Sequence, residues 1–264
     1  MQELKDLPVG VQNFSSIIEE NYVYADKTHF ISKLDKSGRA YFLTRPRRFG
    51  KSLFLSTLKA YFEGKQELFK GLAIERIKAE TNSKWKKYPV LRFDLSGKNY
   101  TKADDLTLLL NAQLDGWKEV YKVECNYKDA ELLFARTLSL IHEKTGERVV
   151  ILIDEYDAPL LQSLEDEELH KQYRSILHGF YSVIKGMSEH IYLSFLTGIT
   201  KFSKVSIFSS LNNLFDISYM SEYSHALWHH SRRTRKQFCS TYSRIGRCLW
   251  DFIHCDVSKI ETKV

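Results

Sequence analysis

Apolar residues along the chain change spacing repeatedly, and the changes lay out an alternation of strands and helices. Residues 29–36 (His-Phe-Ile-Ser-Lys-Leu-Asp-Lys) predict a short helix closed by Ser37 and Gly38. Tyr41-Phe-Leu-Thr44 predicts a short apolar strand that stops before Pro46, which has no N–H to donate to a ladder. From Ser52 to Phe62 the apolar positions Leu55, Leu58 and Phe62, with Phe54 and Tyr61 beside them, fall on one helical face, and Gly64 ends the run. Residues 89–95 alternate as a strand. Helices are expected over about 102–120 and 128–144, the second closed by Gly146. Val149-Val-Ile-Leu-Ile153 is continuously apolar, as strands covered on both faces are. Residues 166–187 have helical spacing, Ile191–Leu196 reads as a strand, and Leu214–Ile217 as a short last one. The alternation predicts an α/β fold, a mostly parallel sheet flanked by helices on both faces. Ligands in such sheets bind at the carboxyl ends of the strands.

The chain has 264 residues, of which 43% are hydrophobic and 27% charged, the composition of a globular chain able to bury a core. Its most apolar run, Val149–Ile153, is far short of the roughly 20 residues a bilayer needs, so no membrane contact is expected. Met1–Val11 mixes acids and bases without an apolar stretch, unlike a secretory signal. The four cysteines form no CxxC pair and no zinc spacing, and a cytoplasmic location is the expectation. The formal net charge is +6, but residues 225–264 hold eight Lys/Arg against three Asp/Glu and so carry five of those six charges. That stretch also holds Cys239, Cys248, Cys255, Trp228, Trp250 and four of the nine histidines, with no helical or strand period. It reads as a basic nucleic-acid-binding arm, as a His/Cys metal site, or as the product of a changed reading frame near Tyr223; the last is preferred.

Two strand ends carry candidate chemistry. Arg45-Pro-Arg-Arg-Phe-Gly-Lys-Ser52 matches the phosphate-loop pattern G-x-x-x-x-G-K-[ST] except that Arg45 replaces the first glycine. Gly50 lets backbone approach a phosphate, Lys51 can reach β- and γ-phosphates, and the Ser52 hydroxyl can ligate magnesium. The loop leaves a strand and opens a helix, so free N–H groups point at an anion. Pro46 stiffens the loop where the glycine is missing. Arg47, Arg48 and Phe49 belong to the same cofactor-binding stretch, the two arginines either touching phosphate or lying in solvent. A turn glycine with no ligand is the plainer alternative.

At the second strand end, Val149–Ile153 runs into Asp154-Glu155, as in a Walker B motif. Asp154 would hold magnesium and Glu155 would polarise the attacking water, the two tasks phosphoryl transfer requires. Asp157 is expected to cap the next helix rather than join the metal. Thr197, at the tip of the following strand with Thr200 and Lys201 behind it, is the candidate sensor of the γ-phosphate. The catalytic set is therefore Glu155, Lys51 and Thr197; the metal set is Ser52 and Asp154; the cofactors are ATP and Mg2+. A strand placed between the loop strand and the acidic strand would mark the additional-strand, catalytic-Glu type of P-loop NTPase.

The chain resembles the predicted AAA-ATPase-like family of bacteria. The resemblance rests on Leu7–Ser16 with Tyr24–Thr28, on Arg45–Ser52, Leu152-Ile-Asp-Glu-Tyr-Asp157, Leu196-Thr-Gly-Ile-Thr-Lys201 and Ser210–Ile217. That family also lacks the first glycine of the loop. The resemblance implies an ATP-binding P-loop domain over residues 1–223, commonly followed in full-length relatives by a PD-(D/E)XK nuclease-like domain, which is the route to a nucleic-acid partner. It stops near Tyr223, which fits a truncated or frameshifted copy, and residues 224–264 are expected not to form an evolved domain. The expected function is a Mg-dependent ATPase. The alternatives are a nucleotide-binding switch or scaffold with little turnover, and a nucleic-acid-associated protein. A homo-oligomer is compatible with all of these, and no arginine finger is assigned among Arg174 and the arginines of the tail.

Overall fold

The computed structural model describes residues 5–35, 40–201, 214–218 and 220. In chain order the elements are α1 (Phe14–Glu19), α2 (His29–Asp35), β1 (Ala40–Thr44), α3 (Lys51–Phe62), a 3-10 turn (Gln66–Phe69), α4 (Ala73–Glu80), β2 (Val90–Asp94), α5 (Asp105–Tyr121), α6 (Ala130–Thr145), β3 (Val149–Asp154), α7 (Ala158–Gln162), α8 (Glu167–Gly186), β4 (Ile191–Gly198) and β5 (Leu214–Asp216). Among the described residues the strands form one sheet of five in the order β2-β3-β4-β1-β5, with every pairing parallel. β4 therefore lies between the loop strand β1 and the acidic strand β3. The strand that lies between them in the chain, β2, goes to the edge instead.

Side-chain alternation along each strand splits the interior in two. On one face Phe42, Leu91, Phe93, Ile151, Ile153 and Leu196 pack against α5, α6 and α8. On the other, Tyr41, Leu43, Val90, Val150, Leu152 and Phe195 pack against α1, α2 and α3. Both faces are covered, which is why β3 reads as an unbroken apolar run and is buried at every position.

Helix α3 lies within this second layer. Nine of its residues are buried, because α1 closes its outer side. Phe14 donates its N–H to Ser56 Oγ at 2.9 Å, and Tyr24 and Thr57 share a hydroxyl contact at 3.4 Å. Asp26 fastens the same region to α4: its carboxylate accepts from Thr28 N, Thr28 Oγ1 and Ala73 N. Phe14 and Tyr24 thus cover the loop helix, and Asp26 and Thr28 tie their segment to α4.

The elements expected from periodicity are present within a few residues of their anticipated ends. Four short ones were not expected: α1, the 3-10 turn, α4 and α7. Helix α4 buries only Ile74 and Lys78, and Lys78 sits over the rings of Tyr61 and Trp85 at 5.1 and 5.3 Å. A single buried aliphatic residue makes no stripe to read. Residues 37–38, most of Ser210–Ile217 and the tail at 224–264 lie outside the described residues, apart from 214–217. No helix among the described residues is long and apolar enough to cross a membrane.

Candidate nucleotide and metal site

The loop between β1 and α3 is held at both ends. Gly50, the residue before α3, has φ 75° and provides no side-chain cap. It occupies the left-handed region that glycine enters without steric cost. The opening N–H groups of α3 are thereby left for an outside acceptor. Arg48 is also left-handed, with φ 67°. Arg47 and Arg48 are exposed, whereas Phe49 and Ser52 are half-buried.

Arg45, which stands where other P-loops have glycine, is turned away from the loop's centre. Its guanidinium donates to Thr44 O at 3.1 Å and to Ser218 O. Its own N–H bonds Gly198 O at 3.2 Å. Ser218 is buried and its hydroxyl accepts from Thr44 N at 2.9 Å. The base of the loop is therefore bound to the segment after β5.

Lys51 is 5% exposed, and its Nζ donates to Arg45 O at 2.9 Å and Pro46 O at 3.1 Å. The loop backbone wraps its own ammonium. Burial lowers the Lys51 pKa, while the carboxylates of Glu155, Asp154 and Asp157 act against that shift. Lys51 and these three acids thus share one electrostatic neighbourhood, as sheet order β1-β4-β3 requires.

Alternation puts Arg92, Asp154 and Thr197 on the same face of the sheet as α3, on three adjacent strands, Asp154 and Thr197 at carboxyl ends and Arg92 in the middle of β2. Asp154 is 1% exposed. Its Oδ1 accepts the Thr197 hydroxyl at 2.8 Å, and its Oδ2 accepts from Arg92 at 2.9 Å. Thr197 is fully buried, and its hydroxyl is nearer the carboxylate than its other acceptor, Ile153 O at 3.4 Å.

Glu155 follows with φ 50°, left-handed without being glycine. Such a conformation costs on the order of 1 kcal/mol or more and persists where the surroundings impose it. Here Tyr156 N bonds Thr197 O at 2.9 Å and Ala158 N bonds Glu155 O at 2.9 Å. These bonds turn the chain sharply at Glu155. Burial first, then the Asp154 charge, raise the Glu155 pKa; Lys51 and Arg47 oppose them.

Asp157 corrects an expectation. It precedes α7 but makes no side-chain cap there. Its Oδ2 instead accepts Ile199 N at 2.9 Å, Thr200 N at 2.7 Å and Thr200 Oγ1 at 2.6 Å. It clamps the turn after β4, because that turn runs directly beside the end of β3. Lys201 likewise pairs with Asp216 at 2.6 Å. Arg174 lies on α8, beside His170, Lys171 and His178, along a surface groove.

Arg92 is the site residue that sequence reading missed. A charge inside Val-Leu-Arg-Phe-Asp94 was the available signal, but its meaning depends on β2 pairing with β3, which sequence does not reveal. No cluster of three or more His, Cys, Asp or Glu suited to a metal occurs among the described residues. A magnesium site of the phosphate-loop kind requires less, one or two carboxylates with substrate phosphates and waters. The hydroxyl and carboxylate donors of Ser52 and Asp154 are hard oxygen ligands of the type magnesium takes.

The chain is 42% identical over 224 residues to an uncharacterized protein in the vnfD 5' region of Azotobacter chroococcum mcd 1; the match covers 83% of this chain and 42% of that protein. The chain thus spans less than half the length of that relative. No solved structure matches it. The family model described as Predicted AAA-ATPase matches residues 8–208, a stretch that contains the loop, the acidic strand end and Thr197. By its sequence and by its parallel, two-faced sheet, the chain belongs to the AAA-ATPase-like family and has a P-loop NTPase-like fold.

Proposed function

We propose that the chain binds ATP on the Arg45–Ser52 loop and hydrolyses it with magnesium. The observation that carries this reading is the placement of Lys51, with the open N-terminus of α3, opposite Asp154 and Glu155 across β4. Backbone N–H groups of Gly50, Lys51 and Ser52 would hold the phosphates, with Arg47, Arg48 and Phe49 of the same loop beside them. The Lys51 ammonium exchanges its two loop carbonyls for phosphate oxygens, which are stronger, charged acceptors. The Ser52 hydroxyl and Asp154 would hold magnesium, which in such sites neutralises charge on the phosphates. Thr197, the candidate γ-phosphate sensor of the sequence, acts in this reading through Asp154, whose carboxylate its hydroxyl holds. Glu155 orients the attacking water and accepts its proton.

A Glu155 pKa above the ordinary 4.5 makes a better base. The sign follows: the carboxylate is lost on acidification at a higher pH than an unperturbed glutamate, so the acid limb of the hydrolysis profile lies above pH 4.5. Glu155→Gln is the test. Hydrolysis should fall at least a hundredfold while ATP affinity stays within about twofold. An unchanged steady-state rate in Glu155→Gln would overturn the assignment.

A nucleotide-binding switch with little turnover is the second reading. It is favoured by the Arg92–Asp154 pair, which engages the carboxylate that magnesium needs. A wild-type rate no higher than that of Glu155→Gln, with ATP bound, would select it.

A further inference from the structure

Both oxygens of the Asp154 carboxylate are engaged by the protein, Oδ1 by Thr197 and Oδ2 by Arg92. The two partners differ. Thr197 is a neutral hydroxyl, fully buried, that leaves the carboxylate its charge. Arg92 brings a full positive charge from the edge strand β2, two positions before Asp94, which pairs in register with Asp154.

The Arg92 contact is single. One NH2 group reaches Asp154, and Nε is buried without a hydrogen-bond partner. A guanidinium that meets a carboxylate side-on makes two parallel bonds, and Arg92 makes one. Its side chain is 26% exposed, against 2% for Asp154. The arginine is thus the member of the pair with room to move, and its unpartnered Nε is a cost that leaving would relieve.

We propose that Arg92 controls admission of the metal: it holds Asp154 Oδ2 against a divalent cation and yields only when nucleotide phosphate arrives with it. This rests on the assignment of Asp154 as the metal ligand. A dication taking Oδ2 stands beside a like charge and must displace it. Alone, the cation supplies nothing to compensate. With a polyphosphate the balance changes, because its negative charge offsets both cations and its oxygens are acceptors a guanidinium pairs with readily. The consequence is ordered loading, in which the site stays closed to free Mg2+ and opens to the magnesium–nucleotide complex.

The test uses Mn2+ as the probe, titrated by electron paramagnetic resonance into the full chain without nucleotide. Arg92→Met and Arg92→Gln, which remove the charge, should each bind Mn2+ at least tenfold more tightly than wild type. Arg92→Lys, which keeps the charge, should stay within about threefold of wild type; a purely structural role would not separate Lys from Gln in this way. The gain should vanish in the Arg92→Met/Asp154→Asn double variant. Circular dichroism identifies a variant that fails to fold, and either neutral variant suffices. A folded neutral variant with no gain overturns the proposal. If Asp154→Asn nevertheless loses Mn2+-supported hydrolysis, the metal assignment stands and only the role of Arg92 fails. A gain that persists in the double variant overturns both.

Discussion

Gly198 is needed for space alone. A Cβ there would meet the Tyr156 ring at 2.3 and 2.5 Å and Asp157 Oδ1 at 2.8 Å. Those two residues brace the site: Tyr156 OH bonds Thr200 O at 2.7 Å, and Asp157 clamps the same turn. Gly198→Ala should therefore lower stability by about 1–3 kcal/mol, the usual cost of overpacking, and reduce hydrolysis more than ATP affinity. Urea denaturation with ATP titration checks this; wild-type stability and rate would contradict it. In the sequence the candidate residues are marked by type and position. Lys51, Asp154 and Glu155 stood out by type and position, as did Thr197 at its strand end. Their partners did not. Nothing in Val-Leu-Arg-Phe-Asp94 indicates that Arg92 reaches Asp154 across 62 positions, and Asp157 looked like a helix cap because a cap needs only local sequence. The role of each was set by a neighbour distant in the chain.

Between β1 and α3, the arginine at the first loop position takes over a task that glycine cannot perform. Arg45 bonds Thr44 O and Ser218 O, and the Ser218 hydroxyl returns to Thr44 N. Hydrogen bonds from a charged donor contribute about 1.5–3 kcal/mol each. Restoring the general pattern with Arg45→Gly should thus destabilise the chain, by about 2 kcal/mol or more by thermal or urea unfolding. It should also weaken ATP binding, because the loop base loses its anchor. A variant as stable as wild type would show that the contacts to Ser218 contribute nothing. Among the elements, those with a long apolar stripe or a continuous run were legible: α3, α5, α6, α8 and β3. Helices α1 and α7, of six and five residues, are too short for a period to register. They form because tertiary contacts hold them, Phe14 and Ile17 of α1 being fully buried.

On the scale of the molecule, one parallel sheet separates two packed layers and brings three strand ends to a common edge. The alternation of strand and helix was enough to anticipate that architecture. Strand order was not readable, since it depends on which strands pair. Placing β4 between β1 and β3 is what sets Thr197 against Asp154, and Asp154 and Glu155 across from Lys51. We propose that this edge binds ATP through the loop lysine. Isothermal titration of ATP into wild type and Lys51→Ala tests it most directly. Wild type should bind and Lys51→Ala should lose at least tenfold in affinity while remaining folded. Equal affinity for the two proteins would contradict the account.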